Sequence, residues 1–334
     1  LPMAHMYGLA FEFLYEFSAG CQIYFLTRMP SPKIIFQAFA DVKPNLIVAV
    51  PLIIEKIIKK SVLPKLETPA MKILLKVPII NDKIKATVRE EMIKAFGGNF
   101  KAVIVGGAAF NQEVEQFLKM IDFPYTVGYG MTECGPLISY APWNEFVLGS
   151  SGKILDIMEA RIYKESPEAE TGEIQVRGEN VMVGYYKNPE ATAEVLDENN
   201  FLHSGDLGIK DEDGNYRITG RIKDMIIRGG ENIYPREIEE FLYKLDGVKD
   251  VQVAGIPSKK YGEAVGAFII LQEGVQMQEA DVRDFCRNKI SRYKIPKYIF
   301  FVNEFPMTGS GKIQKFRLKD LGLQLCKEQG IEII

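Results

Sequence analysis

The first 130 residues alternate between apolar positions at helical spacing and short runs that are apolar throughout. Lys33–Ala40 carries its apolar side chains at helical spacing behind an N-cap serine and an N1 proline, which predicts a helix. Leu46–Val50 is apolar at every position, which is typical of a strand covered on both faces. Alternating helices and strands predict an α/β domain with a mainly parallel sheet, whose ligands bind at the carboxyl ends of the strands.

The same patterns continue towards the middle of the chain. We expect the stretch Lys60–Ala102 to form a long helical insert before the next glycine-rich turn. The predicted elements are helices from Leu52, over Ile84–Phe96 and after the N-cap Asn111, and strands over Lys101–Val105 and Pro124–Tyr129.

Beyond about residue 150 the pattern changes to short strands between turns, which indicates a small β-rich subdomain. After Arg221 the order becomes helix, strand, strand, helix, strand, which predicts a compact α+β unit. We therefore predict a large α/β domain over residues 1–222 and a small C-terminal domain over residues 223–334. The supporting segments are Glu159–Tyr163, Glu173–Arg177, Tyr216–Thr219, Pro235–Tyr243, Val248–Gly255, Ala264–Leu271 and Ala280–Ile290.

The composition excludes several classes of protein. The chain has 334 residues, is 47% hydrophobic and 25% charged, and carries a formal net charge of −3. These values are typical of a folded protein and leave no basic excess to neutralise nucleic-acid phosphates. No apolar run reaches the roughly 18 to 20 uncharged residues of a membrane helix. We expect a soluble, cytoplasmic protein without a nucleic-acid partner, and leave peripheral membrane contact and the oligomeric state open.

Common cofactor and nucleophile motifs are missing from the sequence. The four cysteines lie far apart with no C-x-x-C pair, so we expect reduced thiols rather than disulfides or a metal knuckle. A Rossmann dehydrogenase is disfavoured because no G-x-G-x-x-G is present, and a hydrolase because no G-x-S-x-G is present.

Two glycine-rich turns follow neighbouring predicted strands. Gly106–Ala109 has minimal side chains, so its backbone can approach a flat ligand, although a tight strand-to-helix turn explains the same residues. In Gly128–Glu133, Tyr129 between glycines offers a stacking face. Thr132 and Glu133 then supply the oxygen ligands that suit phosphate and Mg²⁺, although a carboxylate here is often a helix-start charge.

Two further polar segments are candidates for nucleotide contacts. Asp206 suits the hydroxyls of a ribose, and Arg221 could clamp the same group; a turn aspartate and a surface arginine are the alternative. Thr308–Lys312 ends a flexible loop in a lysine that suits a phosphate. It is not a P-loop, because Ile313 replaces the required serine or threonine, and a solvated loop is the alternative.

Taken in order, eight segments resemble the signature motifs of the adenylate-forming superfamily, and especially those of its acyl-CoA synthetases. The resemblance runs from residue 1 to about residue 320, and eight motifs in the correct order are far more specific than any one. The segments are Pro2–His5, Gly106–Phe110, Gly128–Glu133, Gly172 through Tyr186, Ser204–Asp206, Gly220–Asp224, Arg228–Asn232 and Gly309–Lys312.

This resemblance implies a two-step reaction that uses ATP, Mg²⁺ and coenzyme A. A carboxylate attacks the α-phosphorus of ATP to give acyl-AMP and pyrophosphate, and the thiol of coenzyme A then displaces AMP. The residues that follow Tyr129 resemble those of long-chain fatty acid CoA ligases, so we expect a medium- or long-chain fatty acid as the substrate.

The resemblance also implies roles for individual residues, carried over by motif position. Thr132, Glu133 and Lys312 would be catalytic, with Thr132 on phosphate, Glu133 on Mg²⁺ and Lys312 on the phosphates in the first step. The other roles fall on Gly107, Ala108, Tyr129 and Gly130 for the nucleotide, Asp206 and Arg221 for the ribose, Gly229 and Gly230 beside the coenzyme A thiol, Lys223 at the hinge of the small domain, and His5 at the gate of the acyl pocket.

Two departures from the family's pattern stand out. Ala109 occupies a position where many members have proline, and the Ser/Thr/Gly-rich phosphate loop that normally precedes the His5 motif is absent. We therefore expect the chain to be the C-terminal portion of a longer enzyme, and the portion alone could be inactive. An acyl-AMP ligase that loads a carrier protein, and a non-catalytic acyl- or nucleotide-binding fragment, stay open as alternatives.

Overall fold

The computed structural model describes residues 1, 3–27, 31–66, 68, 77–308 and 313–333. These residues form two compact units. The first unit comprises Leu1–Arg161, Gln175–His203 and Lys210–Arg217, and the second comprises Ile162–Ile174, Ser204–Ile209 and Ile218–Ile334.

A parallel sheet organises the first unit. Its three strands are β1 (Leu46–Ala49), β2 (Ala102–Val105) and β3 (Tyr125–Val127), and they pair in that order. The last residue of β1 is opposite the last residue of β2, which is opposite the last residue of β3. The carboxyl ends of all three strands therefore lie along one edge, and the predicted α/β class with a parallel sheet is confirmed.

Helices of the first unit begin where the sequence offers caps. Ser31 Oγ accepts a hydrogen bond from the Ile34 N–H at 3.4 Å, and Asn111 Oδ1 accepts one from the Val114 N–H at 3.1 Å. The helices are Met6–Gly8, the π-helical turn Leu9–Leu14, Tyr15–Ser18, Pro32–Val42, Pro51–Ser61, Leu63–Leu66, Pro78–Ala95, Gln112–Met120, the 3₁₀ turn Thr132–Cys134, and Pro189–Val195.

The helical stretch before β2 differs from the expectation. The helix predicted over Ile84–Phe96 begins earlier, at Pro78, because a proline fits the first turn of a helix but not its interior. The insert predicted over Lys60–Ala102 is not one long helix: Leu63–Leu66 and Pro78–Ala95 are separate helices. Residues 69–76 lie outside the described residues.

An aromatic cluster packs on the parallel sheet of the first unit. The ring of Phe96 is 1% exposed and lies 5.6–6.0 Å from the rings of four other phenylalanines. These are Phe36, Phe39, Phe100 and Phe123. Ring pairs at these distances add attraction beyond the area they bury, so the cluster fixes the helices Pro32–Val42 and Pro78–Ala95 against the core.

The strand predicted over Pro124–Tyr129 is interrupted at Gly128, and that boundary was wrong. Tyr129–Gly130 (β4) leaves the parallel sheet and pairs in antiparallel fashion with Leu137–Tyr140 (β5), which pairs with Lys153–Ile154 (β6). A Cβ on Gly130 would lie 2.0 Å from Pro136 O, so the pairing depends on glycine there. An apolar pattern reports burial but not the pairing partner, which is why the interruption was missed.

A four-stranded sheet contains the short strands predicted beyond about residue 150. Its strands, in the order β10-β9-β8-β7, are β7 (Met158–Tyr163), β8 (Gly172–Gly178), β9 (Leu202–Lys210) and β10 (Tyr216–Arg221). Asp206 lies inside β9. The polar run His203–Asp206 hid this strand, because it interrupts the alternation by which a strand is recognised.

The second unit contains a five-stranded sheet with both faces covered. Along β14, Val265, Ala267 and Ile269 belong to one buried cluster, and Ala264 and Phe268 belong to another. Burial on both faces explains the nearly continuous apolar run of this strand. The strands are β11 (Ile226–Arg228), β12 (Glu231–Ile233), β13 (Val248–Ser258), β14 (Gly262–Leu271) and β15 (Tyr298–Phe301), in the order β12-β11-β14-β13 with β15 parallel to β14.

The helices of the second unit pack on this sheet. They are Pro235–Leu242, Glu279–Cys286 and Lys315–Glu328, with 3₁₀ turns at Ile222–Asp224 and Arg292–Lys294. The helix predicted over Ala280–Ile290 ends at Cys286, because Arg287 has extended backbone angles. Ile290 still packs on the buried cluster from outside the helix, so its apolar character misplaced the predicted end.

All four cysteines are free thiols in the structure. Burial raises the pKa of Cys134 to about 12 and that of Cys286 to about 11, so both stay protonated at neutral pH. In the described part of the chain, no helix is both long enough and apolar enough to span a bilayer.

Replacement of Gly130 by alanine should destabilise the first unit. The added Cβ would meet Pro136 O at 2.0 Å, so the β4–β5 pairing must shift, at a cost of about 1–3 kcal/mol in the free energy of unfolding. Urea unfolding followed by the fluorescence of Trp143, the single tryptophan, measures this cost.

Gly128→Ala is the matched control in the same turn. The nearest atom to a Cβ on Gly128 is Leu137 Cδ1, at an ordinary contact distance of 3.4 Å, so the loss should stay below about 1 kcal/mol. Equal losses for the two variants would show that the close approach at Gly130 does not govern this turn.

Candidate active site

Backbone hydrogen bonds hold the two glycine-rich turns at the carboxyl edge of the parallel sheet. The Gly106 N–H donates to Ala49 O at 3.1 Å, and the Gly128 N–H donates to Val105 O at 2.9 Å. Gly107 has a φ of +85°, which favours glycine, and residues 107–109 are exposed. The exposed backbone therefore lies at the edge where parallel sheets bind their ligands.

A tyrosine that the sequence analysis did not single out supports the first turn. Tyr7 Oη donates a hydrogen bond to Ile104 O at 3.3 Å, and a Cβ on Gly106 would come within 3.1 Å of that hydroxyl. Burial raises the pKa of Tyr7 above its ordinary value, so the phenol stays neutral. Nothing in the sequence near Tyr7 signals this contact, because the partner is almost a hundred residues away.

The second turn presents Tyr129 and Gly130 on β4 and then Thr132 and Glu133 on a 3₁₀ turn. The Met131 N–H donates to Pro136 O at 2.8 Å, which closes the turn across its base. Thr132 is exposed, whereas Tyr129 and Glu133 are partly buried. The backbone therefore fixes an aromatic ring, a hydroxyl and a carboxylate within one short turn.

The carboxylate of Glu133 is held by a tyrosine from a distant segment. Glu133 Oε1 accepts a hydrogen bond from Tyr185 Oη at 2.9 Å. Burial, followed by this hydrogen bond, raises the pKa of Tyr185, so the phenol is a neutral donor at ordinary pH. Among the described residues, no other side chain donates to the Glu133 carboxylate.

Residues 180–185, here called the Glu133 strap, are anchored on the same turn by further hydrogen bonds. The Met182 N–H donates to Glu133 O at 2.7 Å. Asn180 Nδ2 donates to Cys134 O at 2.7 Å and to Leu137 O at 2.9 Å. The strap therefore fixes both the backbone and the side chain of Glu133. Tyr185 belongs to the motif that runs from Gly172 through Tyr186, but no pattern in the sequence indicates its contact with Glu133.

Asp206 and Arg221, predicted to act on one group, are paired with each other. Arg221 Nε lies 2.8 Å from Asp206 Oδ1, and the aspartate side chain is 5% exposed while the arginine is 66% exposed. The Asp206 N–H donates to Ser204 Oγ at 3.1 Å, and the Gly205 N–H donates to Glu173 Oε1 at 3.0 Å. The arginine therefore orients the buried carboxylate, and the two backbone hydrogen bonds fix this part of β9.

Gly229 and Gly230 form the tight turn between β11 and β12. Both have positive φ, +61° and +91°, and the Gly229 N–H donates to Tyr261 O at 2.8 Å. Arg228, just before them, donates to Tyr293 O and stacks over the Tyr261 ring, with its guanidinium carbon 4.9 Å from the ring centre. The turn is thus exposed at its glycines and fixed at its base.

The three remaining candidate residues, His5, Lys223 and Lys312, belong to neither of the glycine-rich turns after β2 and β3 nor to the Asp206–Arg221 pair. His5 caps the helix Met6–Gly8, where its Nδ1 accepts a hydrogen bond from the Tyr7 N–H at 3.2 Å. Lys223 is exposed on the 3₁₀ turn after β10, the position predicted as a hinge. Lys312 lies outside the described residues.

Within each unit, the structure brings together some candidates that are far apart in sequence. In the first unit it aligns the turn of Gly107 and Ala108 with the turn of Tyr129, through the pairing of β2 with β3. In the second unit it pairs Asp206 with Arg221. Both groupings use residue types that suit a nucleotide: exposed backbone and an aromatic ring for a base, and a fixed carboxylate for sugar hydroxyls.

Solved structures share this fold. ATP-bound MatB from Rhodopseudomonas palustris superposes with a TM-score of 0.80 and 28% identity, covering 96% of this chain and 59% of MatB. The adenylate-forming fold is therefore confirmed.

Curated relatives agree with that likeness. The human mitochondrial medium-chain acyl-CoA ligase ACSF2 is 40% identical over 230 residues, which is 65% of this chain and 37% of the relative. A long-chain-fatty-acid–CoA ligase of Escherichia coli is 38% identical over 221 residues, which is 64% of this chain and 39% of the relative. The chain thus spans less than half the length of these relatives.

Family matches cover both parts of the chain. Residues 1–186 match the AMP-binding enzyme family, and residues 237–312 match the C-terminal domain of AMP-binding enzymes. The first match alone covers more than half of the chain and contains both glycine-rich turns and the Glu133 strap. The chain therefore belongs to the AMP-binding enzyme family.

Proposed function

We propose that the protein carrying this chain is an AMP-forming acyl-CoA ligase for medium- or long-chain fatty acids. The observation that carries the proposal is the alignment of two glycine-rich turns at one sheet edge, with Glu133 of the second turn fixed by Tyr185. The two curated relatives, a medium-chain and a long-chain ligase, support the acid class.

The proposed chemistry has two steps. The fatty acid carboxylate attacks the α-phosphorus of ATP, pyrophosphate leaves, and the thiol of coenzyme A then attacks the acyl carbonyl of acyl-AMP and expels AMP. Negative charge concentrates on the phosphates in the first step, so fixed cations and donors contribute more than a covalent intermediate with the enzyme would. No cysteine nucleophile is needed, which agrees with the raised pKa values of Cys134 and Cys286.

The nucleotide roles follow from position and chemistry. Gly107 and Ala108 leave the backbone open to the adenine, and Tyr129 offers its ring for stacking. Asp206, buried and oriented by Arg221, accepts the ribose hydroxyls. Thr132, exposed at the same turn as Glu133, donates its hydroxyl to phosphate.

Glu133 fits a magnesium ligand. Proteins usually hold Mg²⁺ by one or two carboxylates while substrate phosphates and waters complete the octahedron. Among the described residues, no group of three or more His, Cys, Asp or Glu side chains forms a metal site of its own, which agrees with an ion shared with ATP. The ion supplies positive charge against the phosphates when bound.

The remaining roles belong to the C-terminal residues and to the helix at the start of the chain. Lys312 stabilises charge in the first step, Gly229 and Gly230 leave room for the coenzyme A thiol in the second, and rotation about Lys223 exchanges them. His5 gates the acyl pocket. These roles rest on motif position, and for Lys312 on motif position alone.

The acid class is tested by profiling saturated fatty acids from acetate to palmitate, together with an aromatic acid, for AMP-forming consumption of coenzyme A. We expect the largest kcat/KM with a medium or long chain. A preference for acetate or for an aromatic acid would contradict the acid class. Pyrophosphate release without coenzyme A consumption, together with transfer to a carrier protein, would identify an acyl-AMP ligase instead.

Asp206→Asn should weaken AMP binding about 10- to 100-fold, because charge-assisted hydrogen bonds to the ribose are lost. Calorimetry with AMP and with 2′,3′-dideoxy-AMP isolates the effect: the wild type should prefer AMP, and the variant should bind the two nucleotides almost equally. Asp213→Asn, in an exposed turn, is the control. If Asp206→Asn still prefers AMP over 2′,3′-dideoxy-AMP as strongly as the wild type does, Asp206 does not bind the ribose hydroxyls.

Lys312→Ala should slow adenylation by roughly 3 kcal/mol of transition-state stabilisation, or about 10²-fold, if the lysine acts like an oxyanion donor. Thioester formation from supplied acyl-AMP should continue. The two half-reactions are measured by pyrophosphate release and by acyl-CoA formation, with Lys327→Ala, an exposed lysine on the last helix, as the control. Equal loss of both half-reactions would reject this assignment.

A further inference from the structure

Tyr185 is the one side chain in the described part of the chain that donates to the Glu133 carboxylate, and hydrogen bonds at both its backbone and its hydroxyl hold it in place. Its Oη lies 2.9 Å from Glu133 Oε1. Its backbone N–H donates to Thr192 Oγ1 at 2.9 Å, and Thr192 lies in the helix Pro189–Val195. The ring is therefore anchored at its backbone while the hydroxyl reaches the carboxylate.

Other hydrogen bonds from the strap hold the backbone beneath the same carboxylate. Met182 and Asn180 bind three carbonyl oxygens of the turn that carries Glu133. Removal of the Tyr185 hydroxyl would leave all of these in place. The hydroxyl thus controls the orientation of the carboxylate, and the rest of the strap controls where the backbone lies.

The neighbouring Tyr186 provides a natural contrast. Its side chain is 88% exposed, against 37% for Tyr185, and its recorded partner is Lys187, whose Nζ lies 5.2 Å from the ring centre. Of these two adjacent tyrosines, Tyr185 is the one that donates a hydrogen bond to Glu133, so Tyr186 serves as a matched control.

We infer that Tyr185 is a positioning residue that confines Glu133 to binding a divalent cation through Oε2 alone. This inference rests on the proposed function. Because Oε1 already accepts a hydrogen bond from the phenol, the phenol competes with a cation for Oε1 but not for Oε2. One-oxygen coordination suits Mg²⁺, which demands a compact octahedron, whereas Ca²⁺ readily takes both oxygens of a carboxylate. The hydroxyl thereby favours Mg²⁺ over Ca²⁺ at this position.

The first test needs neither nucleotide nor metal. In protein labelled with ¹³C at glutamate carboxyl groups, the Glu133 signal is identified by its loss in Glu133→Gln. It should move in Tyr185→Phe, which lacks the hydroxyl, and stay in place in Tyr186→Phe. An unchanged signal in Tyr185→Phe would overturn the inference, whatever the protein's activity.

The second test measures ATP binding by calorimetry, without fatty acid or coenzyme A, at increasing Mg²⁺ or Ca²⁺. Tyr185→Phe should raise the Mg²⁺ concentration needed for half-maximal ATP binding about tenfold, as losses of residues that orient a metal ligand do. In the same variant, the Ca²⁺ concentration needed for half-maximal ATP binding should rise by a smaller factor. The variant should therefore discriminate less between Mg²⁺ and Ca²⁺ than the wild type does. Tyr186→Phe should match the wild type in both.

The results separate the inference from the function on which it rests. If the wild type binds ATP with a Mg²⁺ requirement and Tyr185→Phe changes neither that requirement nor the Mg²⁺/Ca²⁺ ratio, the positioning role is wrong and the proposed function stands. If the wild type binds ATP with no dependence on a divalent cation, the magnesium role of Glu133 is wrong and the inference falls with it.

Discussion

The parallel register of β1, β2 and β3 is the constraint on which the candidate site depends. Because the three strands end in line, the residues that follow β2 and β3 emerge side by side, and the hydrogen bond from the Gly128 N–H to Val105 O joins the second turn to the end of β2. Glycine at these positions leaves the backbone uncovered. A sheet slipped by one residue would reverse which side chains face the core and would separate the two turns.

Further hydrogen bonds hold the side chains along this edge in fixed positions. The turn after β3 crosses into an antiparallel pairing that tolerates only glycine at residue 130, and the Glu133 strap then fixes the carboxylate from 50 residues away in sequence. The second unit holds its own carboxylate, Asp206, through Arg221. In each unit, the candidate carboxylate is therefore oriented by a second side chain: Glu133 by Tyr185, and Asp206 by Arg221.

Features that depend on residues close together in the sequence could be predicted from the sequence. Caps at Ser31 and Asn111, buried strands and the glycine turns all have short-range signals, so the α/β class was predicted correctly. Residue chemistry singled out Asp206 as a candidate, and its role in the site stays a prediction, but no local pattern predicted its pairing with Arg221. The order of motifs, and not any single one, led to the adenylate-forming family.

What the sequence did not reveal are contacts between distant segments. The break at Gly128, the support of Gly106 by Tyr7, and the hold of Tyr185 on Glu133 each depend on a partner whose identity no local pattern encodes. A crystal structure of the protein with AMP bound tests the assignment of the sheet edge most directly. The adenine should lie against the Tyr129 ring beside the backbone of Gly107 and Ala108. A nucleotide bound away from this edge would contradict it.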